Sequence, residues 1–261
     1  MKQNNIPLKV AFDITSVQSG WSIIFFLILI FNNIIKYISS LFHEGGEIGN
    51  FFNITFSGST VFMLIIGIIA AYTFLPLYVN HGITRKDYFV GNTLAIFFIS
   101  LVLLAVSLII TGVEYTIVNL TNMDITFINE GAIENEENII ANFVLSIVLS
   151  SFGDMNNVPW LLSIGVFLIR AMFFYAIGWF IGASFYRAGV IAGFGSIAFS
   201  IILVSLFDLF WEATEGNILA QYLSLDFGTP SLFISFIGSC FLIAFLFVII
   251  RTITKRVSVR L

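Results

Sequence analysis

The stretch His81–Asn92, HGITRKDYFVGN, gathers a threonine, two adjacent cations, a carboxylate and two aromatic rings between two long apolar runs. Thr84-Arg85-Lys86-Asp87 has the form of a capping box, with Thr84 as N-cap and an acid three residues on. The usual box carries Glu or Gln at that place, and Asp87 is one methylene shorter than Glu. The cap predicts a short helix that starts at His81–Thr84 and runs toward the next apolar segment. Arg85 and Lys86 are expected to project into water, while Tyr88 and Phe89 anchor at the membrane interface. Two readings follow. A solvated loop whose charges orient the chain needs Arg85 and Lys86, but neither the cap nor the aromatic pair. A capped, two-sided turn is stiff enough to transmit a push from a soluble partner.

Elsewhere the chemistry is sparse. Arg170 lies about ten residues into an apolar run, roughly 15 Å from its end at 1.5 Å per residue. A charge at that depth costs at least ~2.5–3.5 kcal/mol and faces a bundle interior or a water-filled cavity. Arg170 therefore either lines a translocation path or belongs to an intramembrane ion pair that holds helices together. Lys36, near the end of the first run beside Asn32 and Asn33, is a second candidate for either role, with a stem long enough to snorkel. Glu114 and Asp208 fall near the ends of their runs, where water is expected to reach them. No carboxylate falls at mid-depth, which argues against ion-coupled secondary transport and for energy supplied from outside the chain.

No catalytic residue is expected. The chain has no Gly-x-x-x-x-Gly-Lys-[Ser/Thr], no His-Glu-x-x-His and no Gly-x-Ser-x-Gly. Glu136–Glu137 resembles the paired acids of some membrane proteases but lies in a polar segment without a histidine to complete a site. His43 and His81 are far apart and Cys240 is the only cysteine, so neither a metal site nor an intrachain disulfide is expected. Asn53-Ile-Thr55 and Asn119-Leu-Thr121 match a glycosylation acceptor, a pattern too short to be specific.

The elements that would position these groups are membrane helices. Of the chain, 59% is hydrophobic and only 10% charged, with 31 phenylalanines and a mean hydropathy of +1.02; soluble domains carry about 25% charged residues. Six runs approach the ~20 residues a bilayer requires: 21–42, 56–79, 92–118, 160–184, 189–210 and 231–250. The expected architecture is an all-α polytopic membrane protein with a cytoplasmic N-terminus over 1–20, a transmembrane domain over 21–250 and a basic tail over 251–261. Lys2, Lys9, Arg85, Lys86, Arg187, Arg251, Lys255, Arg256 and Arg260 all fall in alternate segments, and the segments between them hold only acids. By the positive-inside rule both termini are cytoplasmic. The Asn/Ile/Phe-rich, Ala-poor usage suggests a bacterial plasma membrane.

Two segments are expected to lie on the membrane. Over Ile6–Gln18, Val10, Ile14 and Val17 recur at helical spacing, with Lys9 and Asp13 as an i,i+4 pair, which predicts an interfacial amphipathic helix; a disordered tail is the alternative. Ile139–Ser151 is apolar but short and is expected to be an outer-surface or re-entrant helix. Gly178 and Gly182 in GWFIG, and Gly189 and Gly193 in GVIAG, have the small-xxx-small spacing of close helix contacts. They are expected to pack the fourth and fifth runs into a tight hairpin around Arg187.

With its layout in view, GITRKDYFVGN resembles the first cytoplasmic loop of ABC-2-type transporter permeases, which read Gly-[apolar]-[Ser/Thr]-Arg-[basic]-x-[aromatic]-x-x-Gly. The matching positions are Gly82, Ile83, Thr84, Arg85, Lys86, Tyr88 or Phe89, and Gly91. The resemblance implies that Gly82, Thr84, Arg85, Lys86, Asp87, Tyr88 and Phe89 form a coupling helix seated in a cleft of a separate ATPase. It also implies partners: two ATPase copies carrying ATP and Mg, a second permease, identical or homologous, and membrane lipid, with no nucleic acid. Short permeases of this kind are similar to those of Gram-positive peptide exporters, such as phenol-soluble modulin exporters, and of lantibiotic immunity transporters, so the implied cargo is an amphipathic peptide or lipid-like molecule. The family also places re-entrant helices between the last two spans, here Trp211–Thr229. The rival reading is a non-transporting immunity or sensor protein that binds a peptide at its acidic outer face.

Overall fold

The structure, a computed structural model, describes residues 5–42, 47–121, 126–128, 160–211 and 231–255. Five helices among them are long and apolar enough to cross a membrane. They are α1 (Ile6–Phe42), a composite of α2 (Phe51–Ile69), a π-helical turn (Ala70–Phe74) and α3 (Leu75–Asn80), then α4 (Arg85–Thr121), α5 (Trp160–Trp211) and α6 (Leu232–Lys255). The expected segments 139–151 and 212–229 lie outside the described residues, as do Glu136, Glu137 and His43.

The N-terminal region departs from expectation. α1 runs unbroken for 37 residues, roughly 55 Å at 1.5 Å per residue, so the amphipathic stretch and the first apolar run are one helix. Pro7 sits in its first turn, where a missing N–H costs nothing, and no other proline interrupts it. Val10 and Ile14 are buried in the bundle, whereas Val17 is 41% exposed. Their spacing serves contact with α4 as well as it would serve a membrane surface. Asp13 is not paired with Lys9; its carboxylate accepts the Tyr78 hydroxyl.

α1 and α4 lie side by side and parallel. Val10 presses on Gly91 near their starts, and Asn33 reaches Glu114 the same number of residues further along both helices. Chains leaving two parallel helices at one end depart in the same direction. The three-residue strands β1 (Glu47–Gly49) and β2 (Thr126–Ile128) accordingly pair in parallel, Ile48 opposite Phe127. This small sheet had no signal in the alternation of the sequence.

α2 starts under an Asn50 N-cap, whose side-chain oxygen accepts the Phe52 N–H at 2.9 Å. The widened turn Ala70–Phe74 comes just before Pro76. Proline lacks an N–H and would crowd the carbonyl four residues back, and a π turn relieves that crowding.

α5 reverses at Gly189, where φ is +80° and ψ −169°, backbone that favours glycine. Its two arms are zipped by nested aromatic pairs: Phe185 with Phe194 nearest the bend, then Phe180 with Phe199, then Phe173 stacked on Phe207 at 4.4 Å. The expected hairpin exists, but GWFIG does not close it. A Cβ on Gly178 would fall 2.1 Å from the Leu64 carbonyl oxygen, and one on Gly182 2.8 Å from that of Ile68. Gly67 answers from α2, where a Cβ would lie 2.3 Å from the Tyr175 carbonyl oxygen. These glycines let the first arm of α5 pack backbone to backbone on α2. Gly193 does face across the bend, against the Phe185 ring. α6 then packs on the second arm, with Trp211 Nε1 donating to Ser239 Oγ at 2.8 Å.

Candidate functional site

The turn between α3 and α4 is fixed from both sides. On the α3 side, Gly82 N–H donates to the Val79 carbonyl and Ile83 N–H to that of Tyr78, both at 3.0 Å. This is a Schellman ending, and Gly82 holds its left-handed position at φ +82°. On the α4 side, the Asp87 N–H donates to Thr84 Oγ1 at 3.1 Å, and the Thr84 hydroxyl donates to Asp87 Oδ2 at 2.7 Å. The shorter carboxylate grips the capping hydroxyl instead of the N-cap backbone. Thr84 is thus the N-cap as expected, but the helix that starts after it is not a short separate one: α4 begins at Arg85 and continues without interruption to Thr121.

Tyr88 is fully buried, not an interfacial anchor. Its hydroxyl donates to the Ala70 carbonyl at 2.6 Å, inside the π turn, while the Leu75 N–H donates to the same oxygen. Its ring meets Tyr78 and Trp179 edge or tilt, at centroid distances of 5.9 and 6.2 Å. Phe89 is half-buried on Trp179 and carries the Arg251 guanidinium 5.3 Å above its ring. Burial follows from helical spacing: Tyr88, Asn92, Ala95 and Ile96 are all fully buried on one face of α4.

Arginines bind the turn to the end of α6. Arg85 Nη1 donates to the Lys255 carbonyl at 3.2 Å, and Arg187 Nη1, from the α5 bend, donates to those of Thr252 and Ile253 at 3.1 and 3.0 Å. Arg251 returns a long bond to the Arg85 carbonyl at 3.4 Å. The last carbonyls of a helix have no partner within it and carry its negative dipole end, so guanidinium groups are favoured there. Arg85 is therefore half-buried and engaged, whereas Lys86 is exposed and has no polar partner among the described residues.

A second polar assembly crosses the interior. Gln18 Nε2 donates to the Tyr175 hydroxyl at 2.8 Å, which in turn donates to Asn92 Oδ1 at 2.9 Å. Three elements meet there, all three residues fully buried. None of the three was singled out in the sequence; the signal was an amide on two of the helices, Gln18 on α1 and Asn92 on α4. At the far end, Glu114 is buried, not solvated. Its carboxylate accepts from Asn33 Nδ2, the Tyr37 hydroxyl and the Phe51 N–H at 2.9–3.0 Å. The last of these places a negative charge on the N-terminus of α2, which the helix dipole favours. Asp208 is buried as well.

Arg170 is 4% exposed. Its Nε donates to Thr60 Oγ1 at 3.1 Å and its guanidinium lies 4.8 Å from the Phe56 ring and 5.4 Å from that of Phe174. Aromatic faces stabilise a desolvated cation by up to about 2 kcal/mol. Lys36 is half-buried on α1, in the turn between Asn33 and Tyr37. Gly178, Gly182 and Gly193 serve packing, and Gly189 serves the bend. No protein-family model matches the chain, and no characterised protein or solved structure matches it either.

Proposed function

We propose that this chain is the permease subunit of an ATP-driven ABC exporter of the ABC-2 type. The observation that carries the reading is the turn at 82–89, capped on both sides and tied to three other elements. A loop that only oriented the chain would need none of these bonds. A soluble ATPase that displaces Lys86 and its neighbours moves α4 directly, the π turn through Tyr88, and the ends of α5 and α6 through Arg85, Arg251 and Arg187. Both arms of α5 count as crossings in this reading, giving six spans in the bacterial plasma membrane, with the turn and both termini cytoplasmic. Two ATPase copies supply ATP and Mg, and a second permease completes the path. The apolar, phenylalanine-rich bundle suits an amphipathic peptide or lipid-like cargo entering from the bilayer.

The test is recovery of an ATPase with the tagged chain from its native membrane in mild detergent. Lys86→Glu is the preferred variant, because Lys86 makes no bond among the described residues, while Arg85 also caps α6. Recovery with wild type and loss with an inserted, folded Lys86→Glu chain is the expected result. Absence of an ATPase from both would overturn the exporter reading and favour an immunity or sensor protein.

A further inference from the structure

The end of the molecule that carries the turn also carries cations with no acidic partner among the described residues. Lys9, Arg85, Lys86, Arg187, Arg251 and Lys255 come from the starts of α1 and α4, the bend of α5 and the end of α6. The only carboxylates at this end among the described residues are Asp13 and Asp87. Each is turned to a hydroxyl, Tyr78 and Thr84 respectively, and neither pairs with a cation. Residues 1–4 and 256–261 add Lys2, Arg256 and Arg260 to the sequence and no Asp or Glu. The guanidinium of Arg187 has five N–H donors, and among the described residues one of its nitrogens is used, on two carbonyls.

Immediately beyond Arg187 the surface changes character. Val190 and Phe194 are each 64% exposed and Ile191 is 91% exposed, the highest of the large apolar side chains among the described residues. A cationic rim joined to a bare aliphatic and aromatic patch matches an amphiphile better than an acidic soluble segment. Such basic pockets between membrane helices recognise anionic headgroups. We infer that this end is a binding site for an anionic phospholipid, its phosphate held by the cations around the end of α6 and its acyl chains lying on the α5 bend. The inference rests on the membrane reading alone and not on the ATPase.

Native mass spectrometry of the purified full chain tests it, with phosphatidylglycerol and phosphatidylcholine of matched acyl chains as probes. Wild type is expected to retain phosphatidylglycerol over phosphatidylcholine, and to lose that preference as salt is raised. Lys86→Gln/Lys255→Gln removes two charges that make no side-chain bond among the described residues. Each is worth roughly fivefold at an anionic surface, so the pair should weaken phosphatidylglycerol roughly 25-fold and leave phosphatidylcholine unchanged. Arg187→Gln should act in the same direction. Equal retention of both lipids, or a double variant that holds phosphatidylglycerol as wild type does, would sink the proposal. Displacement of the lipid by inorganic phosphate or by an oligoglutamate peptide at equal concentration would also overturn it, in favour of a free-anion or acidic-protein site.

Discussion

The Tyr88 hydroxyl and the Ala70 carbonyl, 2.6 Å apart, join the first turn of α4 to a π turn in the helix before it. In a regular α-helix that carbonyl would accept from residue 74; here it accepts from the Leu75 N–H, and its second lone pair takes the Tyr88 hydroxyl. Tyr88→Phe keeps the ring and removes the bond. The expected loss is about 1 kcal/mol of stability, read as a lower Tm in detergent, together with weaker recovery of any ATPase. A variant with unchanged Tm would mean the bond adds nothing to the fold.

Gly82 stands at φ +82°, where a side chain costs roughly 1–2 kcal/mol. Gly82→Ala should destabilise by about that amount and Gly82→Asn by less, since asparagine tolerates the left-handed region. Equal melting of the two variants would count against the Schellman ending.

Thr84→Ala removes the acceptor for the Asp87 N–H and the donor to its carboxylate. The expected cost is about 1 kcal/mol, and Thr84→Ser should recover most of it. Hydrogen exchange at residues 85–88 is the direct readout, with faster exchange expected in the alanine variant only.

Glycines at helix contacts should separate sharply from open ones. Gly178→Ala and Gly67→Ala place a methyl against backbone carbonyls and should each cost about 1–3 kcal/mol. Gly195 has nothing within 4 Å of an added Cβ, so Gly195→Ala should be neutral or stabilise by up to about 1 kcal/mol through helix propensity. Thermal denaturation of the three variants in one detergent decides it.

Glu114→Gln exchanges one of three accepting contacts for an N–H that faces another donor. A loss of about 1–3 kcal/mol is expected, while Tyr37→Phe, which leaves the carboxylate two donors, should cost less. If the glutamine variant melted at the wild-type temperature, the carboxylate would be accepting fewer bonds than the geometry gives it.

The long apolar helices were legible in hydropathy, and the cap at Thr84 in four residues, because both signals are local. What failed depended on partners. Val10 and Ile14 have the same spacing whether they face lipid headgroups or α4. Asp13 stands four residues from Lys9, yet a tyrosine distant in sequence takes its oxygen. GWFIG announced a close approach without naming the helix approached, which proved to be α2. Glu114 and Tyr88 were assigned to water and to the interface from their distance along a run. Donors from α1 and α2 enclose the first, and Ala70 takes the second.

The parallel pairing of α1 with α4 has a mechanical consequence. Contacts at both ends, Val10 with Gly91 and Asn33 with Glu114, forbid either helix to slide along the other without breaking both. Across from this strut, α2 is interlocked with the first arm of α5 at glycines and α6 with the second. Tyr175 and Trp179 join this assembly to the strut, one through amides and one through rings, beside Tyr88 on Ala70, Tyr78 on Asp13 and Glu114 on the Phe51 N–H. Displacing one group against the other would break these side-chain contacts and leave the glycine-mediated packing inside each group intact.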